Sequence, residues 1–329
     1  MKLAMDFFHE PYREKVEFAK QMGVKHVVTN SSRKGQTLRD SDRPWEYIPL
    51  LQKVKNFEDA GFKVSVLEGN LSPLDKTKLG LPGRDEEIEV FQGLLRTMGQ
   101  LGIETVCYNW MPLVGWFRTN VNIPIRGGAR ATGYNHELMQ GAPLTEAGVV
   151  TAERMWENLE YFLKAVVPVA EESGVQLAAH PDDPPVDSLM GISRILTNAD
   201  AFQRLIDLVP SDYNGITFCQ GCFSTMGENI PKSIKQFANQ KKMFFAHFRD
   251  ICGTAKNFVE AFHEDGQTDM YEAMKLYYEY DFQGCMRPDH VPAMWGEDNT
   301  NPGYTILGNL FAVGYMKGLM EAAKKEVHR

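Results

Sequence analysis

Gly174-Val-Gln-Leu-Ala-Ala-His180 follows directly on a long helical stretch, and the reading of that junction decides the fold. Residues 152–173 carry Met155, Leu159, Phe162, Leu163, Val166 and Val167 at helical spacing. Gly174 then stops the helix, because glycine enters the left-handed conformation without a Cβ penalty. The apolar run after it reads as a strand, so the junction is the αβ half of a βαβ unit. The same phrase recurs at Gly23-Val-Lys-His-Val-Val-Thr29, Gly61-Phe-Lys-Val-Ser-Val-Leu67, Gly102-Ile-Glu-Thr-Val-Cys-Tyr108 and Gly284-Cys-Met-Arg-Pro-Asp289. With Lys2-Leu-Ala-Met-Asp6 and the runs at 215–219 and 243–247, this makes eight candidate strands.

Helical patterns at 45–60, 85–101, 268–281 and 304–326 lie between them, and no domain-scale linker interrupts the series. Eight alternating units predict an α/β protein, a (β/α)8 TIM barrel formed as one domain over residues 1–329. A doubly wound open sheet is the competing architecture. The barrel is preferred because ligand-type residues close four successive runs, as the catalytic face of a barrel requires.

Composition narrows the class. The 329 residues are 43% hydrophobic, with a net charge of −8 and no Lys/Arg-rich run, which argues against nucleic acid or an anionic membrane as partner. Five scattered cysteines read as reduced thiols, and no apolar stretch is long enough to span a bilayer. The expectation is a cytoplasmic enzyme acting on a small molecule.

One connection is too long for a simple crossover. After Cys107-Tyr-Asn-Trp110, residues 110–150 run through Trp116, Arg118 and Arg126-Gly-Gly-Ala-Arg130 before the next helix. Loops beyond ~15 residues in a compact domain are usually functional or disordered. The aromatics and arginines of this insertion after the fourth strand favour a lid or a subunit contact, and a homodimer is compatible with it.

The strand ends carry the chemistry. His180, Cys219, His247 and Asp289 close four runs, and on neighbouring parallel strands they would meet at one mouth as two imidazoles, a thiolate and a carboxylate. That donor set suits a borderline divalent transition metal. Each has an ordinary structural reading when taken alone, and only the conjunction points to a metal. Asp182 and Asp183 are candidate acceptors for the second N–H of His180, while Cys222 is read as structural. His263 and Glu264 are a further pair that could reach the mouth. Arg118, Arg249 and Arg287 are candidate partners for an anionic substrate, because a guanidinium holds a carboxylate bidentately.

Several segments together resemble the mannonate dehydratase family. They are Cys107-Tyr-Asn-Trp-Met-Pro112 with Trp116 and Arg118-Thr119, His180-Pro-Asp-Asp-Pro-Pro185, Gly215-Ile-Thr-Phe-Cys219, His247-Phe-Arg249, Phe262-His-Glu264, Arg287-Pro-Asp-His290 and Pro302-Gly-Tyr304. The resemblance implies a (β/α)8 fold and dehydration of D-mannonate to 2-keto-3-deoxy-D-gluconate. It also implies a divalent metal, Mn²⁺ first, with Fe²⁺, Co²⁺ and Zn²⁺ as alternatives. Metal ligation carries over to His180, Cys219, His247 and Asp289, and acid–base roles to His290 and Tyr304, with Tyr304 expected as base and His290 as acid. Asn109 and Trp110, in the first matching segment, are expected to touch substrate. The first hundred residues and the segment 291–301 depart from the family pattern, which leaves a related sugar acid open. A metal-dependent sugar isomerase or epimerase, and a non-catalytic barrel subunit, are the alternative functions.

Overall fold

The computed structural model describes residues 1–8, 11–32, 43–69 and 71–327. Eight parallel strands close into a barrel, β1 (Lys2–Asp6), β2 (His26–Thr29), β3 (Lys63–Glu68), β4 (Thr105–Asn109), β5 (Gln176–His180), β6 (Asn214–Cys219), β7 (Met243–Phe248) and β8 (Cys285–Pro288). Each strand pairs with its neighbours in chain order, and β8 pairs back onto β1. Each expected strand is therefore present.

The principal crossover helices are α1 (Arg13–Gln21), α2 (Tyr47–Asp59), α3 (Arg84–Gln100), α4 (Ala152–Ser173), α5 (Ala199–Leu208), α6 (Ile230–Asn239), α7 (Met270–Glu279) and α8 (Ile306–Val327). Helix α4 shows why the boundaries fall where they do. The Thr151 hydroxyl caps its start by accepting from the Arg154 N–H, and Gly174, at φ 67°, ends it. Its buried face carries Met155, Leu159, Phe162, Leu163 and Val166 against the barrel. Phe162 is fully buried, with Phe91, Trp110 and Tyr108 at ring-centroid distances of 5.1, 5.2 and 5.7 Å.

Inside the barrel the side chains are mostly small: Ala4, Val28, Val66, Cys107, Ala178 and Cys285, with Phe245 filling the remaining width. Thr217 tightens this layer by donating to Cys107 Sγ and to the Ala178 carbonyl. The interior is thus packed, and it forms no pore through the barrel.

Two insertions build that mouth. Asn120–Pro124 and Arg130–Asn135, from the segment after β4, join Asn257–Glu260 and Ile251–Thr254, from the segment after β7, in one four-stranded antiparallel sheet. Arg130 also bridges to Ala293, which ties this sheet to the segment after β8. Among the described residues no helix is long and apolar enough to cross a membrane.

Phe162→Ala removes the ring on which three other aromatic side chains rest. It is expected to lower the unfolding free energy by roughly 3–5 kcal/mol, read from urea denaturation.

Candidate active site

Strand register converts sequence distance into proximity. Cys219 is paired with His247 across β6 and β7, and His247 with Arg287 across β7 and β8. The four residues expected at the mouth accordingly converge. His180 Nε2 lies 3.2 Å from His247 Nδ1, which lies 3.5 Å from Asp289 Oδ2. Donor atoms of Cys219, His247 and Asp289 form one compact trio, and those of His180, Cys219 and Cys222 another, each within 4.8 Å. His180 Nδ1 sits 2.7 Å from the Pro181 carbonyl. A proton on Nδ1 is therefore donated outward, and Nε2 presents its lone pair to the cluster, as in a metal-binding histidine. These residues fit a divalent cation. Asp182 and Asp183 play no part in orienting the ring, which is a correction: Asp182 accepts from Ile195 N, Leu196 N and Arg194, and Asp183 from two arginines.

Glu68, at the end of β3, completes the group and was not anticipated. Its Oε1 lies 3.0 Å from His247 Nε2, and it forms a third donor trio with His180 and His247. Its carboxylate also takes two bonds from Arg287, at 2.9 and 2.8 Å, while Arg287 Nη1 reaches Asp289 Oδ1 at 2.8 Å. Burial opposes ionisation of Glu68, yet Arg287 and His247 hold its carboxyl down to about 2. Asp289 is likewise opposed by burial and is held well below the usual carboxylate range by His290, Arg287 and His247. Burial also opposes the Cys219 thiolate, but the Cys222 hydrogen bond and Arg249 bring that thiol well below its ordinary value.

A dry ion network supports this cluster. Arg249 is fully buried and donates to both oxygens of Glu260, at 2.8 and 2.7 Å, and to Asp183 at 2.9 Å. Arg118 takes Asp183 bidentately, at 2.6 and 2.9 Å, and reaches Glu260 at 2.8 Å. The two arginines overcome the burial of Asp183 and keep its carboxyl well below the usual range. Arg118 and Arg249 are thereby occupied and do not line the cavity, which corrects their expected role as substrate partners. Arg287 does line it, but its donors are largely spent on Glu68, Asp289 and the Pro288 carbonyl.

The cavity at the strand ends has a volume of about 380 Å³. On one side stand His290 and Tyr304, with ring centroids 5.5 Å apart. The β8 ladder ends at Pro288, and His290 takes φ 48°, so it escapes strand alternation and faces the same space as Asp289. Gly303 lies against His290 at φ 88°, a left-handed conformation that a larger residue would adopt only with strain. Trp116 covers His290 at 5.1 Å, and Phe8 contacts the Tyr304 ring edge-on at 5.2 Å. His290 Nδ1 is 3.2 Å from Glu260 Oε1, and the Tyr304 hydroxyl donates to Asp289 Oδ1 at 3.3 Å.

Asn109 lines the cavity, and its Oδ1 accepts from Lys78 and from Met111 N. Trp110 does not, which is a second correction: it is buried under α4 and donates from Nε1 to the Met155 carbonyl. One step along a strand turns a side chain from mouth to core. His263 is buried against the Phe248 carbonyl and Glu264 pairs with Arg126 outside the cavity, so neither belongs to the mouth. His26 and His136 bond Ser65 and Tyr134, and His9 and His328 lie outside the described residues. Of the two unanticipated acids, one had a signal. Glu68 follows Val-Ser-Val-Leu67 as a strand-terminal carboxylate, the same pattern that singled out Asp289. Glu260 had none, because it enters from the second insertion.

A family model described as D-mannonate dehydratase (UxuA) matches residues 1–147 and 142–329. A mannonate dehydratase of Thermotoga maritima is 34% identical over 316 residues, covering 85% of this chain and 87% of that protein. One from Streptococcus pneumoniae is 33% identical over 305 residues, covering 84% of this chain and 83% of that protein. The crystal structure of mannonate dehydratase from Streptococcus suis serotype 2 superposes with a TM-score of 0.91 at 30% identity, covering 100% of this chain and 95% of that one. A D-tagatose 3-epimerase-like protein, at 14% identity and a TM-score of 0.64, shares the fold.

His263 makes the stability depend on pH. Burial lowers its imidazole to about 4, against an ordinary 6.5, so the native chain excludes a proton that the unfolded chain binds. Stability is then full above pH ~6.5, falls as the pH drops toward ~4, and loses up to roughly 3 kcal/mol over that window. His263→Gln is expected to flatten the stability-versus-pH curve between those values, as measured by urea unfolding at stepped pH.

Proposed function

This chain belongs to the D-mannonate dehydratase family, and from that premise we propose how its cavity removes water from the sugar acid. The activity is that of a carbon–oxygen lyase: the C2 proton and the C3 hydroxyl leave, and the enol formed tautomerises to 2-keto-3-deoxy-D-gluconate. The observation that supports the residue roles is the placement of His290 opposite Tyr304 beside a set of nitrogen, sulfur and oxygen donors.

His180, Cys219, His247 and Asp289 would hold a divalent cation, Mn²⁺ by family resemblance. Such an ion, when bound, supplies positive charge beside the carbon that loses its proton. Glu68 and Arg287 act on the ligands, the first facing His247 Nε2 and the second fixing Asp289. For the proton transfers the geometry favours the reverse of the order expected from sequence. His290 directs Nδ1 at Glu260, which leaves Nε2 free to accept the C2 proton. Tyr304 carries its proton on the hydroxyl, as its bond to Asp289 requires, and delivers it to the departing C3 oxygen. Trp116 closes over His290, so the insertion at 110–150 serves as a lid that keeps bulk water from the transferring proton.

The reading is tested by turnover of D-mannonate with metal-stripped protein before and after addition of Mn²⁺. Formation of the keto-deoxy acid only after addition is the expected result. Absence of product from protein that demonstrably holds Mn²⁺ would overturn the substrate and turn attention to isomerisation. His180→Ala and Cys219→Ala are each expected to abolish metal retention while the chain stays folded, as measured by elemental analysis and circular dichroism. His290→Asn and Tyr304→Phe are expected to retain metal and lower kcat by about 10²–10⁴-fold.

A further inference from the structure

We propose that Lys78 is the cation that receives the substrate's carboxylate, at a point where a side pocket opens off the catalytic cavity. The inference rests on the dehydratase reading above and names a contact that the site so far lacks.

An anionic substrate entering a net-negative protein needs a positive partner besides any metal. The three arginines near the cavity are committed to carboxylates of the protein itself. The same holds for Lys15, which pairs with Asp6, and for Arg194, which pairs with Asp182. Lys78 is different. It is 7% exposed, and among the described residues it forms no ion pair. Its Nζ makes one hydrogen bond, to the neutral Asn109 Oδ1 at 3.1 Å. The neighbouring acids are engaged elsewhere: Asp75 accepts from Leu113 N, Glu87 from Thr77 N and Oγ1, and Asp182 from the backbone beyond β5.

A buried ammonium with two donors unused among the described residues carries a desolvation penalty that the charges of Asp75, Glu87 and Asp182 offset only in part. Burial accordingly lowers Lys78 to about 8. A bound carboxylate would complete its coordination and remove that penalty.

The location fits a sugar acid. Lys78 lines a pocket of about 380 Å³ together with Asp75 and Glu87, and this pocket shares Gly69, Tyr108, Asn109 and Met111 with the catalytic cavity. Asn109, its hydrogen-bond partner, is paired in register with His180, which links Lys78 through one residue to the strand end that carries a proposed metal ligand. Ser72 Oγ, buried at the same pocket with no hydrogen-bond partner among the described residues, offers a second donor for the carboxylate. A neutral sugar would leave the ammonium unpaired, so Lys78 selects aldonates over neutral sugars and polyols.

The test compares metal-loaded wild type, Lys78→Met and Lys78→Arg with D-mannonate as substrate. Lys78→Met is expected to raise KM by about 10- to 100-fold with bound metal unchanged, the loss of one charge-assisted hydrogen bond. Lys78→Arg is expected to recover most of the affinity. A wild-type KM in Lys78→Met, with the wild type active, would overturn this inference alone; inactivity of the metal-loaded wild type would instead overturn the dehydratase reading. Independently of how Lys78→Met folds, a crystal structure of metal-loaded His290→Asn with D-mannonate should place a carboxylate oxygen within hydrogen-bond reach of Lys78 Nζ. A carboxylate directed elsewhere would refute the assignment.

Discussion

The buried charge network around Arg249 is the constraint on which the rest of the site depends. Moving two guanidinium ions and two carboxylates out of water is expensive unless every donor finds an acceptor with good geometry. Here Arg118 and Arg249 share Asp183 and Glu260 through bonds of 2.6–2.9 Å, and neither arginine is free to rotate away. The four residues come from four places in the chain: the insertion after β4, the loop after β5, the end of β7 and the insertion after β7. Their pairing therefore locks both insertions onto the barrel mouth. Removing one partner would leave a buried charge unpaired and loosen the shelf on which the ligands stand.

Such a network restricts the chemistry available to the cavity. Arginines whose terminal nitrogens are committed to buried carboxylates, and which stand outside the cavity, cannot also grip a substrate, so their value is positional. Arg287 holds Asp289, and Glu68 faces the far nitrogen of His247, so orientation of the ligands passes outward in a chain of charge-assisted contacts. His290 receives the same treatment from Glu260. A single carboxylate thus steadies both the ion network and the imidazole assigned to proton transfer, which couples the rigidity of the mouth to its reactivity.

Much of this was legible from residue order. The eight strands were visible because glycine-terminated helices followed by short apolar runs leave a periodic trace that needs no knowledge of contacts. The ligands were visible because a polar residue at the end of an apolar run is conspicuous, and four in succession are more so. Trp110 misled for the same reason: its neighbour Asn109 faces the cavity, and one residue of strand alternation carries the tryptophan into the core. The arginines misled because residue type shows capacity for an anion and not whether that capacity is already spent.

By itself the sequence determined the barrel, the helices that clothe it and the polar residues that close its strands, since each follows from local periodicity and turn chemistry. The tertiary structure decided which charges meet. Glu260 reaches His290 and Arg249 only because the two insertions share one sheet, and Lys78 forms no ion pair among the described residues because each nearby acid accepts from another partner. Electrostatic pairing depends on distances of a few ångströms between segments far apart in the chain, and no local pattern encodes them.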